Sequence, residues 1–159
     1  MSNTFSTLLG TVLVLAAVSF GTGCKKEKES VVGPLTQGQW TIVAAEVRPT
    51  LPIYDQYGTT ISYTGDLWSL WDECRKDDVR EYYSDRTLQY YANERCDNQG
   101  SGYSCKWELN EEETVLKELY PDGSSADFKV LSVTDTELKI SAQEAYHNRL
   151  HTVTLIYHH

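Results

Sequence analysis

Period-two alternation is the feature that most restricts this fold. In Cys105-Lys106-Trp107-Glu108-Leu109, residues Cys105, Trp107 and Leu109 point one way and Lys106 and Glu108 the other. Leu138, Ile140 and Ala142 repeat the pattern against Glu137, Lys139 and Ser141, and Trp40, Ile42 and Ala44 open it. Successive strand side chains face opposite sides of a sheet, so such alternation marks strands with one buried and one wet face. Turn residues separate the runs at Ser84-Asp85-Arg86, Pro121-Asp122-Gly123 and Thr134-Asp135, with a looser connection over 144–148. Strands are expected at 79–83, 87–92, 114–120, 126–133, 136–142 and 150–157, with a poor strand at 59–63. Asp66 is placed to cap one short helix over 67–74, with Leu67, Leu70 and Trp71 on one face. The whole predicts an all-β chain: an antiparallel up-and-down barrel of about eight strands with one short helix in an early insertion. A two-sheet β-sandwich is the alternative.

The N-terminal residues follow a different pattern. An apolar run from Leu8 to Phe20, broken by Gly10, Thr11 and Ser19, ends in Gly21-Thr22-Gly23-Cys24 and then Lys25-Lys26-Glu27-Lys28-Glu29. The run is shorter than the ~20 residues a membrane-spanning helix needs. It fits the apolar middle of a secretory signal. An apolar segment closing on small residues and cysteine resembles the signal peptide of a bacterial lipoprotein. It departs from that pattern in having no Lys or Arg within 1–23 and Gly21 where an aliphatic residue is usual. The resemblance implies removal of 1–23, acylation of Cys24 with palmitate-type chains, a tether over 24–34 and a single domain over 35–159. Several acyl chains anchor where one holds only marginally. The implied place is the bacterial cell envelope, at the outer membrane on its periplasmic or surface face, with Lys25, Lys26 and Lys28 near anionic head groups.

Charge narrows the partners. The net charge of −9 belongs wholly to residues after 23, and no basic stripe interrupts it. Such a surface repels nucleic acid. Cys74, Cys96 and Cys105 remain after Cys24. In an oxidising compartment two of the three are expected to pair. Cys74–Cys96 is favoured, closing a hairpin-sized loop worth roughly 3 kcal/mol by loop entropy; Cys96–Cys105 is the alternative. No C-x-x-C spacing occurs, so neither a zinc nor a redox motif is indicated.

Several segments together resemble the lipocalin-like domain of small Gram-negative lipoproteins. They are Leu35-Thr36-Gln37-Gly38-Gln39-Trp40-Thr41-Ile42, with its Gly-x-Trp element, and Cys74-Arg75-Lys76-Asp77-Asp78 leading into Val79–Tyr83. The strand after Cys96 and Leu131-Ser132-Val133-Thr134-Asp135-Thr136-Glu137-Leu138-Lys139-Ile140 complete the set. The resemblance implies a small calyx-type barrel with Trp40 packed across its closed bottom, and it supplies no catalytic residues. The segment 48–66 has no counterpart, Arg86 stands where Gly is usual, and Cys105 is an additional cysteine.

Two functional readings follow. One is a binding module holding a small apolar or amphipathic molecule in the barrel mouth, lined by Tyr82, Tyr90, Trp107 and Phe128 as the inward aromatics. The other is a protein-interaction scaffold using the insertion 51–71, with Tyr54, Tyr57, Tyr63, Trp68 and Trp71 as contacts. No nucleophile elbow, phosphate loop or Ser-His-Asp order indicates an enzyme, and no cofactor is implied. The acidic residues Asp72, Glu73, Asp77 and Asp78 lack calcium-loop spacing and read as a solvated loop. His147 and His151 lie four apart without a third ligand and read as exposed polar residues rather than a metal site.

Overall fold

The computed structural model describes residues 29–93 and 102–159. Cys24, the signal segment and Cys96 lie outside the described residues. A four-residue helix, α1 (Val32–Leu35), precedes nine strands. These are β1 (Gln39–Tyr54), β2 (Thr60–Asp66), β3 (Val79–Tyr82), β4 (Thr87–Tyr91), β5 (Tyr103–Leu109), β6 (Val115–Leu119), β7 (Ser125–Val133), β8 (Glu137–Tyr146) and β9 (Arg149–His158). Every pairing is antiparallel. β1 pairs with β3 at its start and with β9 along its middle, closing β1 and β3 through β9 into an eight-stranded up-and-down barrel. β2 lies outside that circuit, on the far half of β1.

The alternation delivers its inward residues to one core. Trp40, Tyr82, Leu88, Trp107, Leu116, Leu138 and Ile140 are almost wholly buried. Trp40 forms the floor: its Nε1 donates to the Leu35 carbonyl at 2.9 Å, Leu35 is buried beside it, and the His159 ring packs 3.8 Å away. Trp107 donates from Nε1 to the carbonyls of Tyr83 and Thr87, both at 3.1 Å, and meets Tyr82 edge-on.

Three local expectations change, and β1 is longer than its alternation. A bulge between Ile42 and Ala44 hands the inward place to Ala45 instead of Ala44. β1 runs on through Pro49 and Pro52, beyond the end of its β9 ladder at Arg48, where one edge needs no N–H donor. The expected helix over 67–74 divides into two 3₁₀ turns, Trp68–Leu70 and Glu73–Arg75, because Trp71 and Asp72 are extended. Asp66 still serves the first turn, its Oδ1 accepting from the Ser69 N–H at 3.1 Å. The connection expected over 144–148 is a tight two-residue turn, His147-Asn148, with φ of 48° and 59°. Two positive φ values match the right-handed twist of a hairpin, and Asn tolerates them.

The barrel wall is incomplete at one place. The β7–β8 ladder runs from Lys129↔Ser141 to Val133↔Leu138. Residues 125–128 of β7 and 142–146 of β8 lie outside it, each paired on its other edge only. An open cleft of about 860 Å³ separates them.

Candidate functional site

Next to Trp40 the barrel interior changes character, for Arg80 is its partner in the β1–β3 ladder. The inward side of β3 reads Tyr82, Arg80 and, one step before the strand, Asp78. The nearly buried Arg80 guanidinium pairs with the fully buried carboxylate of Glu118 on β6. Tyr82 donates to Glu118 Oε1 at 3.0 Å and Tyr120 to Oε2 at 2.8 Å, so both carboxylate oxygens are engaged. The rings of Tyr90, Phe128 and Tyr157 stand 5.8, 5.7 and 5.6 Å from the guanidinium carbon. Aromatic faces attract a desolvated cation, so this cage helps offset the cost of burying it. Burial works against the Arg80 charge, but Tyr157 and Glu118 more than compensate and hold it well above its ordinary range. Burial pushes the Tyr157 hydroxyl up to about 12.

Beside this cage lies a cavity of about 180 Å³. Ile42, Leu155 and Tyr157 line it together with the polar Asp78, Arg80 and Tyr90. Trp71 and Arg75, from the segment carrying the two 3₁₀ turns, cover it. That cover packs on the barrel through Trp68 and Trp71, whose rings lie 5.9 Å apart, and Lys76 sits 5.5 Å over Trp68. Asp78 is buried rather than solvated, which corrects the loop reading of that carboxylate. Its Oδ2 accepts a short hydrogen bond from the Tyr90 hydroxyl, while Oδ1 is buried with no partner. Burial raises the Asp78 carboxyl above its ordinary value; the Tyr90 bond opposes this and Asp77 adds to it.

The four candidate lining residues have different surroundings. Tyr90 lines the cavity. Phe128 lies beside the Arg80 guanidinium and borders the lateral cleft. Tyr82 and Trp107 are packed edge-on in the core, both next to Glu118. The five partner candidates also divide. Tyr57 and Tyr63 are 83% and 69% exposed on the β1–β2 hairpin, and Tyr54 meets His147 at 6.3 Å. Trp68 and Trp71 instead cover the barrel mouth. Asp78, Arg80, Glu118 and Tyr157 were missed by sequence reasoning, yet the signal was present. Once Tyr82 faces inward, period two sends Arg80 and Asp78 inward with it.

Cys74 is disulfide-bonded, and its expected partner Cys96 lies outside the described residues. Cys105 is free and buried, its thiol raised by burial and by Glu118. His151 is buried rather than exposed, its Nδ1 lying 2.8 Å from the Pro49 carbonyl. Among the described residues no group of three or more His, Cys, Asp and Glu is placed to hold a metal.

As a sequence, the chain matches no protein-family model and no curated protein. Among solved structures it resembles bovine odorant-binding protein in complex with undecanal, at 14% identity and a TM-score of 0.43, over 84% of this chain and 76% of that one. A deswapped triple mutant of the bovine protein matches at 13% identity and a TM-score of 0.42, over 79% and 74%. At this level of likeness no residue and no ligand carries over to this chain.

Proposed function

We propose that this chain is a non-catalytic binding barrel that holds one small amphipathic molecule at its open end, and that acylated Cys24 tethers it in the bacterial cell envelope. One observation carries the binding reading: the cavity beneath Trp71 combines aromatic walls with a few fixed polar groups, the usual make-up of a small-molecule site. Its size supports a compact occupant. A cavity of about 150 Å³ accepts a benzene ring, whereas drug-sized pockets begin at roughly 300 Å³. Arg80 and Glu118 occupy each other, an arrangement suited to holding a ligand rather than moving a proton. The anchoring reading rests on the apolar Leu8–Phe20 run and the small residues before Cys24.

Native mass spectrometry of the protein from its own envelope, compared with the denatured mass, tests the binding reading. Extra mass equal to a single-ring compound and lost on denaturation is the expected result; a bare protein mass under conditions that preserve the fold counts against it. Cys24→Ser is expected to release the protein from the membrane fraction, and continued membrane association would remove the anchoring reading.

A second reading has its own observation. Tyr57, Ile61 and Tyr63 on the β1–β2 hairpin and Leu150 on the β8–β9 hairpin are 62–83% exposed. We propose that these two tips form a protein-docking surface. Tyr63→Ser should then reduce partner capture in envelope crosslinking without altering the native mass.

A further inference from the structure

The fork between the two long hairpins holds a second pocket. β1 leaves β9 after the pair Arg48↔Thr152 and goes on to pair with β2, as at Pro52↔Tyr63. β8 and β9 continue together to Tyr146↔Arg149. The two arms diverge, and a pocket of about 220 Å³ lies between them. His151 lines it although only 4% exposed. A backbone carbonyl only accepts, so the 2.8 Å contact with Pro49 places a proton on His151 Nδ1. Nε2 bonds to no described residue and is not sealed off from solvent. In the neutral imidazole it is an acceptor.

The walls differ from those beneath Trp71. They are the rings of Tyr54, Tyr63 and Tyr146 with Pro49 and Pro52. Tyr54 meets His147 across the fork at 6.3 Å, and Tyr146 stands edge-on to His151 at 6.1 Å. Thr50, Thr60 and Arg149, all exposed, add polar groups. Among the described residues no carboxylate and no branched aliphatic side chain lines this pocket. Arg149 only donates, while Nε2 of the neutral ring only accepts, so an occupant that satisfies both must accept and donate. Hydroxyl groups do both. An apolar ring would leave each side without a partner. Polar groups reaching in from β1, β2 and β9 call for several hydroxyls on one molecule. The electron-rich faces of exposed tyrosines suit the C–H faces of a saturated ring.

We propose that this fork binds a neutral sugar ring, with one hydroxyl on His151 Nε2, another on the Arg149 guanidinium and a C–H face against a tyrosine ring. The site is separate from the cavity beneath Trp71 and does not depend on that cavity being occupied.

NMR titration of the purified protein with methyl β-glucoside, methyl β-galactoside, methyl α-mannoside, cyclohexanol and phenol tests it, because the last two carry a ring with a single hydroxyl. At least one glycoside is expected to bind about tenfold more tightly than cyclohexanol and phenol, as the added hydrogen bonds would give. It should shift the His151 imidazole signals and leave the Trp71 indole N–H unmoved. Arg149→Leu, a change at an exposed position, should weaken that glycoside about tenfold and leave cyclohexanol unchanged. Cyclohexanol or phenol binding as tightly as the best glycoside would overturn the proposal, as would a glycoside that shifts Trp71 instead of His151. No binding of any glycoside at tens of millimolar would also overturn it, while leaving the binding-barrel reading to its own test by native mass.

Discussion

Two neighbouring layers of the barrel interior, paired directly at Trp40↔Arg80, Trp107↔Glu118 and Leu138↔Tyr157, solve the same packing problem with opposite chemistry. At the floor, Trp40, Leu88, Trp107, Leu116 and Leu138 fill the interior with apolar volume, and the two indole N–H groups are bonded to backbone carbonyls. On the partner positions beside them, an ion pair, several tyrosines and a buried aspartate stand around a cavity. Apolar filling maximises stability and leaves nothing to recognise. Polar filling sacrifices stability for directional groups that can distinguish one occupant from another. The polar layer therefore marks the candidate site better than the aromatic residues do.

Four perturbations break or sharpen that contrast. The largest effect is expected at the ion pair. Removing one partner, by Arg80→Met or Glu118→Leu, should cost about 3–5 kcal/mol because a buried charge loses its counter-charge. Combining the two should recover most of that loss. Urea unfolding of the singles and the double measures it; additive losses would mean that the pair does not act as a unit. At the floor, Trp107→Ala should cost about 3–5 kcal/mol with no companion change able to rescue it, since the loss is one of volume. Trp71→Ala should cost only about 1–2 kcal/mol, because the side chain is half buried. It should nevertheless speed ligand dissociation by removing the cover, which stopped-flow competition would read.

The smallest effect depends on pH. Above its raised folded pKa, Asp78 is ionised in both folded and unfolded chains, and its burial weakens the fold. As pH falls through that value the folded protein takes the proton first and the penalty is relieved; below the unfolded value of 3.8 nothing further changes. Asp78→Asn should therefore raise the melting temperature at pH 7, with the gain fading as pH falls toward 4. A gain independent of pH would assign the effect to packing rather than charge.

Much of the barrel was legible because its strands obey a local rule. Cys105 and Trp107 are buried as their alternation requires, and Thr134-Asp135 and Pro121-Asp122-Gly123 are turns. Misreadings arose where a longer-range constraint prevailed. The bulge after Ile42 is set by β9, across the barrel, and moved the inward position from Ala44 to Ala45. β1 continues through Pro49 and Pro52 because they sit where one edge is free, a fact of topology rather than of sequence. The site was harder to read for a different reason. Charged residues are assigned to the wet face by default, so Arg80 and Glu118 were passed over although their strand neighbours pointed inward. Their burial makes sense only when each is seen with the other, 38 residues apart in sequence.

The gap between β7 and β8 gives this closed fold a property of open sheets. A complete barrel has no free strand edge for another chain to copy, but here residues 125–128 and 142–146 each present one. Asp127 and Lys129 on one side and Glu144 on the other are exposed charges flanking the opening. Such charges discourage edge-to-edge pairing. Three surface residues that contribute little to the core thus guard this opening, and neutralising them would be expected to favour chain-to-chain assembly before it disturbed the fold.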